Sequence, residues 1–254
     1  MKTTTRHSTL HLLRQSALVL SVFGAFLPVS STLAWAQVGP SASETAKYTG
    51  LHAAAQRGDV ALIQRLAAKP ETLNATDTHG RTPLHVATFA KQREAIRALA
   101  KAGADLNRLE NDRYDTVTIA SVADDEDTLR VLLQLGASAK QTTSRYNGTA
   151  LIAAAHLGHD GVVRQLIAAG APLDHVNNLH WTAAIEAVVL GNGGARHQAT
   201  LKALIDAGAN LKLTDRQGQT PLQLARSRGF AEMVAMLENA EKKVSRSVKP
   251  VKLA

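Results

Sequence analysis

The hexapeptide Thr82-Pro83-Leu84-His85-Val86-Ala87 decides the fold, because the chain contains a near copy of it, Thr220-Pro221-Leu222-Gln223-Leu224-Ala225. Threonine followed by proline is typical of a helix start, since threonine caps the first turn and proline pre-sets a helical dihedral angle. Weaker copies lie between and before these two, and the lead residue recurs about every 33 residues. The six lead residues are Thr49, Thr82, Thr116, Thr149, Thr182 and Thr220.

A glycine motif runs in phase with these copies and ends the second half of the repeats. Its members are Ala102-Gly103-Ala104, Leu135-Gly136-Ala137, Ala169-Gly170-Ala171 and Ala207-Gly208-Ala209. Glycine closes a helix by taking the left-handed conformation, so each repeat is predicted to hold two helices and a glycine-ended turn. No single repeat can bury its apolar side chains alone, and stacking of neighbouring repeats supplies the core.

With these motifs, residues 45–240 resemble the ankyrin repeat, most strongly in repeats two, four and six. The resemblance implies an all-α ankyrin-repeat solenoid of about six helix-turn-helix repeats with short β-hairpin loops. It also implies that His52 and His85 tie backbone between neighbouring repeats and are not catalytic bases. In repeat three, Val117 and Thr118 stand where proline and leucine are expected, which predicts a softer repeat.

The N-terminal residues 1–36 are predicted to be a signal peptide. Residues Ser16 to Val29 form an apolar run, and Ala34-Trp35-Ala36 supplies the small residues of a cleavage site, so cleavage is expected after Ala36. The alternative is an uncut membrane anchor. With cleavage, the mature protein has no integral membrane span and is expected in the periplasm. Residues 37–44 are then a linker, and the basic residues 241–254 are predicted to be a disordered tail.

Charge and composition disfavour nucleic-acid binding and disulfide chemistry. The formal net charge of +8 arises largely in the leader and the tail, so the repeat body is close to neutral. The chain has no cysteine, which excludes disulfides and thiolate metal sites.

No catalytic motif is evident, so we predict no enzymatic activity, no cofactor and no metal. His156, His159 and Asp160 lack the spacing of a helical zinc motif. The acidic run Asp124 to Asp127 is interpreted as a solvated turn. The glycine-rich insertion Gly191 to His197 in repeat five lacks the lysine of a phosphate loop. It is equally compatible with a tolerated loop and with a binding loop.

The predicted binding surface follows from the resemblance, because ankyrin stacks present hairpin tips and first helices along one concave surface. Tyrosine, tryptophan and arginine at the tips are the types that carry most interface energy. The alternative is that Tyr146 and Trp181 pack between adjacent hairpins while the arginines are solvated. First helices would add Phe89, His156 and Glu186. The predicted partner-binding residues are Arg81, Arg113, Tyr114, Arg145, Tyr146, Trp181, His197 and Arg216.

The predicted function is that of a monomeric, non-catalytic module or scaffold that binds a protein partner. The chain resembles the small secreted ankyrin proteins of proteobacteria, which implies support of an envelope enzyme or of stress defence. The alternative is an immunity protein that neutralises an imported effector toxin.

Overall fold

The computed structural model of this 254-residue chain describes residues 39–247. The predicted signal peptide and its cleavage site lie outside the described residues. Within the described range, none of the helices combines the length and the apolar character needed to cross a bilayer.

Six helix pairs form the body of the molecule, in agreement with the six predicted repeats. Each first helix packs against the first helix of the next repeat and against its own second helix. The first helices are α2 (Gly50–Arg57), α5 (Pro83–Phe89), α7 (Thr116–Val122), α9 (Ala150–Leu157), α11 (Ala183–Val189) and α13 (Pro221–Ser227). The second helices are α3 (Val60–Leu66), α6 (Arg93–Lys101), α8 (Glu126–Gln134), α10 (Asp160–Ala168), α12 (Ala195–Asp206) and α14 (Ala231–Ser247). Single helical turns form α1 (Ala42–Thr45) and α4 (Pro70–Leu73).

Helix caps explain why the lead residues recur. The side chains of Thr82, Thr149, Thr182 and Thr220 each accept a hydrogen bond from the backbone three residues on. This removes one of the unpaired N–H groups that every helix start leaves.

Repeat three was assigned one residue out of register from the sequence. Asp115, and not Thr116, caps α7 by accepting from the N–H of Thr118 at 2.7 Å. Val117 therefore fills the leucine position and is as buried as Leu84 in repeat two. The assignment of Thr118 to the leucine position was wrong, because aspartate does the capping that threonine does elsewhere.

The core is made of aliphatic side chains that neighbouring repeats bury together, with alanines between the first helices. Fully buried members from successive repeats include Ile63, Leu84, Leu99, Leu132, Leu151, Leu166, Ile185 and Leu204. Since these contacts join consecutive repeats, the stack has a continuous core and no internal boundary.

Hairpins precede the first helices, as predicted, but they are minimal. One has a ladder, in which β1 (Thr142–Thr143) pairs antiparallel with β2 (Gly148–Thr149). Others close with a single backbone bond, as between the N–H of Asp77 and the carbonyl of Arg81 at 3.0 Å.

The tips of neighbouring hairpins are also bonded to each other. The backbone N–H groups of Asn111, Ser144 and Asn178 donate to carbonyls of the preceding tip at 2.9 to 3.0 Å. The tips of repeats two to five therefore form one backbone-bonded edge.

Helical structure extends beyond both ends of the predicted repeat domain, residues 45–240. Helix α14 continues to Ser247, so a disordered tail starting at residue 241 is wrong over its first seven residues. In the predicted linker, Ser41 and Glu44 form a reciprocal capping box that starts α1.

Candidate partner-binding surface

We define the inner face as the hairpin tips together with the last two residues before the turn that closes each first helix. In five of the six repeats a residue with positive φ follows that pair, which fixes the register. The six pairs are Gln56 and Arg57, Phe89 and Ala90, Val122 and Ala123, His156 and Leu157, Val189 and Leu190, and Ser227 and Arg228.

The middle of the inner face is apolar, and we call its apolar members the floor. All of them keep part of their surface exposed. Val189 packs against the core, whereas Phe89, Val122, Leu157 and Leu190 lie outside the hydrophobic core cluster. The last four side chains are therefore not members of the core, and the ring of Phe89 lies against Gly39. The floor consists of Phe89, Ala90, Val122, Ala123, Leu157, Val189 and Leu190.

The two motif histidines tie neighbouring repeats together, as predicted. Nε2 of His52 lies 2.9 Å from the carbonyl of Arg81, and Nε2 of His85 lies 3.3 Å from the carbonyl of Tyr114. Nδ1 of His85 accepts from the N–H of Thr82, so Nε2 carries the proton and donates. Burial lowers the pKa of His85 to about 4, which keeps the ring neutral.

Arg81 was predicted to contact a partner, but its side chain is only 3% exposed. Its guanidinium donates to Asp77 at 2.7 Å and also to Glu44. Hydrogen bonds from Ser41, and one from Arg81, lower the pKa of Glu44 to about 2. The expectation of an exposed Arg81 is wrong, because the arginine fastens α1 onto the first hairpin.

The same cluster brings Glu44, Asp77 and His79 close enough to resemble a metal site. Burial alone would raise the pKa of Asp77, but hydrogen bonds from Tyr48 and Arg81 lower it to about 2. The guanidinium of Arg81 already neutralises both carboxylates, so these residues form an ion-pair network and are poorly suited to a cation.

The aromatic tip residues are less available than the sequence suggested. Tyr114 is 8% exposed, and burial raises its pKa to about 12. Trp181 is partly buried and packs against the core. Tyr146 is also partly buried, and its carbonyl accepts from the N–H of Asn178. The exposed placement of Tyr114 is therefore wrong, and Trp181 packs inside the chain.

The arginines at three tips are exposed, as predicted. Arg145 pairs with Asp112 at 3.2 Å. Arg216 donates to the carbonyl of Asn178 on the neighbouring tip. Arg113 occupies the left-handed corner of its turn, with φ of 68°, and so does His180, with φ of 65°. In repeats two and six, glycine holds this corner.

The repeat-five insertion is fastened to the two repeats before it. Arg196 bonds Asp124 in repeat three and Asp160 in repeat four. Nε2 of His197 lies 3.0 Å from the carbonyl of His156, and its ring lies against Gly158. His197 therefore has a structural role, and it lies at the turns between helices, away from the hairpin tips.

Glu186 lies beneath the floor and is buried, although the sequence placed it on the binding surface. Its carboxylate accepts from Nδ2 of Asn177 at 3.0 Å and lies 3.1 Å from Nδ1 of His156. The corresponding residues of other repeats are apolar, as in Val86 and Leu224. His156, by contrast, lies on the inner face as predicted.

The floor was largely missed from the sequence, although a signal for it exists. Phe89 was expected on the first-helix surface, but the other floor residues were not singled out. Each floor residue is one of the two residues that directly precede the residue closing a first helix.

Models of known protein families match three parts of the chain. Residues 28–110 and 194–238 match models described as ankyrin repeats, in three copies and in many copies respectively. Residues 146–178 match the model of the single ankyrin repeat.

A curated protein that matches the chain in sequence is also an ankyrin repeat protein. The ankyrin repeat protein YahD of Escherichia coli (strain K12) is 42% identical over 77 residues, which span 30% of this chain and 38% of that protein. The chain therefore matches well under half of the length of this curated relative.

Solved structures match over a larger part of the chain. An ankyrin repeat domain from Acinetobacter baumannii AYE is 44% identical, with a TM-score of 0.71, over 75% of this chain and 97% of that one. A chain from the complex of a predatory endopeptidase of Bdellovibrio bacteriovorus with an immunity protein is 25% identical, with a TM-score of 0.59. That match covers 76% of this chain and 98% of the other.

Proposed function

The chain belongs to the ankyrin-repeat family, and from this premise we propose that it is a non-catalytic scaffold that binds one protein partner in the periplasm. Ankyrin repeats are protein–protein interaction modules, and the inner face is where this chain offers a contact surface. The observation that carries the proposal is the floor, a partly exposed apolar strip across repeats two to five, of which Phe89, Val122, Leu157 and Leu190 lie outside the core cluster. Exposed apolar strips with polar borders are typical of interaction sites.

A rigid border supports this use of the floor. The hairpin tips are joined by backbone hydrogen bonds from Asn111, Ser144 and Asn178. A preformed surface loses little conformational entropy when a partner binds. The inner face therefore meets the main requirement of a specific docking site.

A non-catalytic role is supported by what the buried titratable groups do. His85 and Asp115 hold helix starts, and Glu186 holds Asn177 and His156. Each of these groups is engaged in the local structure of its own helix or hairpin.

The periplasmic location is proposed from the leader. Residues 1–36 have the basic start, apolar centre and small-residue cleavage site of an exported protein. Fractionation of host cells, with N-terminal sequencing of the mature chain, tests this part. A mature chain starting at Gln37 in the periplasmic fraction is expected, and an uncut chain in the membrane fraction would contradict it.

A second candidate function is that of an immunity protein, because one structural match comes from a complex with an immunity protein. In that case the partner is an effector enzyme, and the chain blocks its active site. Binding is expected to be one-to-one and to abolish the activity of the captured enzyme. A scaffold would leave that activity intact.

The experiment is affinity capture of residues 37–254 from a periplasmic extract of the host, with mass spectrometry and crosslinking. The test variant combines Leu157→Asp with Leu190→Asp, since both side chains lie on the floor. The control is Val176→Asp, which places one carboxylate on an exposed apolar residue outside the inner face. One enriched protein that binds the wild type and the control, but not the floor variant, is expected. Equal capture by all three, or no capture after crosslinking, would contradict the proposal.

A further inference from the structure

We infer that the inner face recognises an acidic segment of the partner, with apolar side chains at its centre and carboxylates around them. This inference rests on the proposed function and specifies the chemistry of the partner. It comes from the distribution of charge around the floor.

Cations border the floor at both ends. Arg57 in repeat one and Arg228 in repeat six occupy the positions that floor residues occupy in repeats two to five. Both side chains are exposed. The floor is therefore an apolar strip with a positive charge at each end.

The hairpin side of the inner face is also positive. Arg113, Arg145 and Arg216 are exposed at successive tips. Among the described tip residues, Asp112 is the exposed acid, and it pairs with Arg145 at 3.2 Å. Arg113 and Arg216 therefore keep charges that no carboxylate of the described chain neutralises.

The acidic residues that offset the positive charge of the repeat body lie outside the inner face. Glu94, Asp127 and Asp206 lie on second helices with side chains 59 to 78% exposed. Each of them pairs with a cation on its own helix. The nearly neutral repeat body thus conceals a basic inner face and a separately balanced outer face, and this segregation favours an acidic ligand.

The size of the floor fits a short segment better than a whole domain surface. Neighbouring helices pack about 8 to 10 Å apart, so four repeats give a strip of about 25 to 30 Å. A helix of about 18 residues or an extended segment of about nine residues covers that length.

Two other candidate occupants of the floor match the charge of the inner face less well than an acidic segment does. The leader is apolar at its centre, but residues 1–36 contain Lys2, Arg6 and Arg14 and no acid. It would bring positive charge to a positive surface. A second copy of the chain would offer the outer-face acids, which already have partners on their own helices.

The test is selection of binders from a random peptide library displayed on phage, with residues 37–254 as bait. Enriched peptides are then measured by fluorescence anisotropy against two triple variants. The inner-face variant carries Arg57→Gln, Arg216→Gln and Arg228→Gln. The control variant removes three exposed cations outside the inner face, with Lys101→Gln, Lys140→Gln and Lys212→Gln.

The expected peptides are net acidic and carry apolar residues at their centre. Their affinity should fall at least about tenfold in the inner-face variant and less than about twofold in the control, and added salt should weaken it. The floor variant Leu157→Asp with Leu190→Asp should also lose them. All substituted arginines are exposed, so folding is retained, and thermal melting checks this.

Each of the following results would overturn the inference. Neutral or basic peptides could dominate the selection, or binding could be equal in both triple variants. A synthetic peptide of residues 16–29 could compete for the site, which would assign the floor to the leader. Concentration-dependent dimerisation, abolished by the floor variant, would assign it to a second copy. Capture of a partner that docks through a basic segment would overturn this inference while leaving the proposed function intact.

Discussion

The guanidinium of Arg196 lies 2.8 and 3.1 Å from the two carboxylate oxygens of Asp124, although 72 residues separate them along the chain. The same guanidinium reaches Asp160 at 3.2 Å. The repeat-five insertion thus connects three consecutive repeats along the edge where their helix pairs turn. In a solenoid, most contacts join adjacent repeats only, so this bridge couples repeats three and five directly.

Substitution of Arg196 by glutamine should destabilise the chain modestly. The hydrogen bond from Arg196 is the largest cause of the lowered pKa of Asp124, so the ion pair stabilises the charged form of this carboxylate. Because the arginine side chain is about half exposed, the expected loss is at most about 1 kcal/mol, and it should shrink at high salt. Urea unfolding in low and high salt measures it. Arg130→Gln, which breaks a pair within one helix, is the control and should cost less.

His85 should make stability depend on pH below neutrality. Burial lowers its pKa from 6.5 to about 4, so the unfolded chain binds a proton before the folded chain does. The neutral ring makes its full contribution to the free energy of unfolding above pH 6.5, and this contribution is lost as the pH falls towards 4. The full loss is about 3 kcal/mol from a shift of this size. Chemical unfolding of the wild type at pH 7.0, 6.0 and 5.0 measures the slope.

The variant His85→Gln isolates this contribution. At the same position in repeat six, Oε1 of Gln223 accepts from the N–H of Thr220 at 2.8 Å, so glutamine can serve as the cap without titrating. The variant should be less stable at pH 7, since the bond to Tyr114 is altered, but its slope between pH 7 and 5 should be flatter. Identical slopes in the two proteins would show that His85 is not the titrating group.

The contributions of Asn177 and Glu186 to stability should be coupled. Glu186→Leu restores the apolar residue of the other repeats, but it removes the acceptor of the buried Nδ2 of Asn177. An unpaired buried donor costs about 1 to 3 kcal/mol. Repeat six carries Asp215 and Leu224 at these two positions. The double variant Asn177→Asp with Glu186→Leu should therefore recover most of the loss.

A double-mutant cycle by chemical unfolding tests this coupling. Asn177→Asp alone places a second carboxylate within about 3 Å of Glu186 and should be strongly destabilising at pH 7, with relief at lower pH. Additive effects of the two substitutions would contradict the coupling.

Glycine at the corner of the repeat-five hairpin, in place of His180, should stabilise the folded chain. His180 has φ of 65°, a conformation that costs a non-glycine residue about 1 to 2 kcal/mol. His180→Gly should raise the free energy of unfolding by up to about 1 kcal/mol, since the extra entropy of unfolded glycine offsets part of the gain. The matched reverse change is Gly218→His at the same corner of repeat six, where φ is 73°. It should destabilise, and thermal or urea unfolding of both variants decides whether backbone strain is the cause.

The repeat, its period and most helix boundaries could be predicted from the sequence, because they depend on local chemistry. Threonine caps, proline at the first helical position and glycine at the turns act within a few residues. Even the one error in register, at Asp115, arose because two residue types can perform the same capping role. The ties made by His52 and His85 followed from the family pattern.

Tertiary structure alone decided which side chains are available for binding. Arg81 and Tyr114 resemble contact residues in the sequence, yet both are buried in the folded chain, and Arg81 is engaged in an ion-pair network. The bridge from Arg196 to Asp124 and the pairing of Glu186 with Asn177 could not be anticipated either. Exposure and ion pairing depend on which repeats meet across the stack, and residues distant in the chain determine that contact. A local pattern therefore fixes where a side chain is attached, and its neighbours in space fix whether it faces a partner.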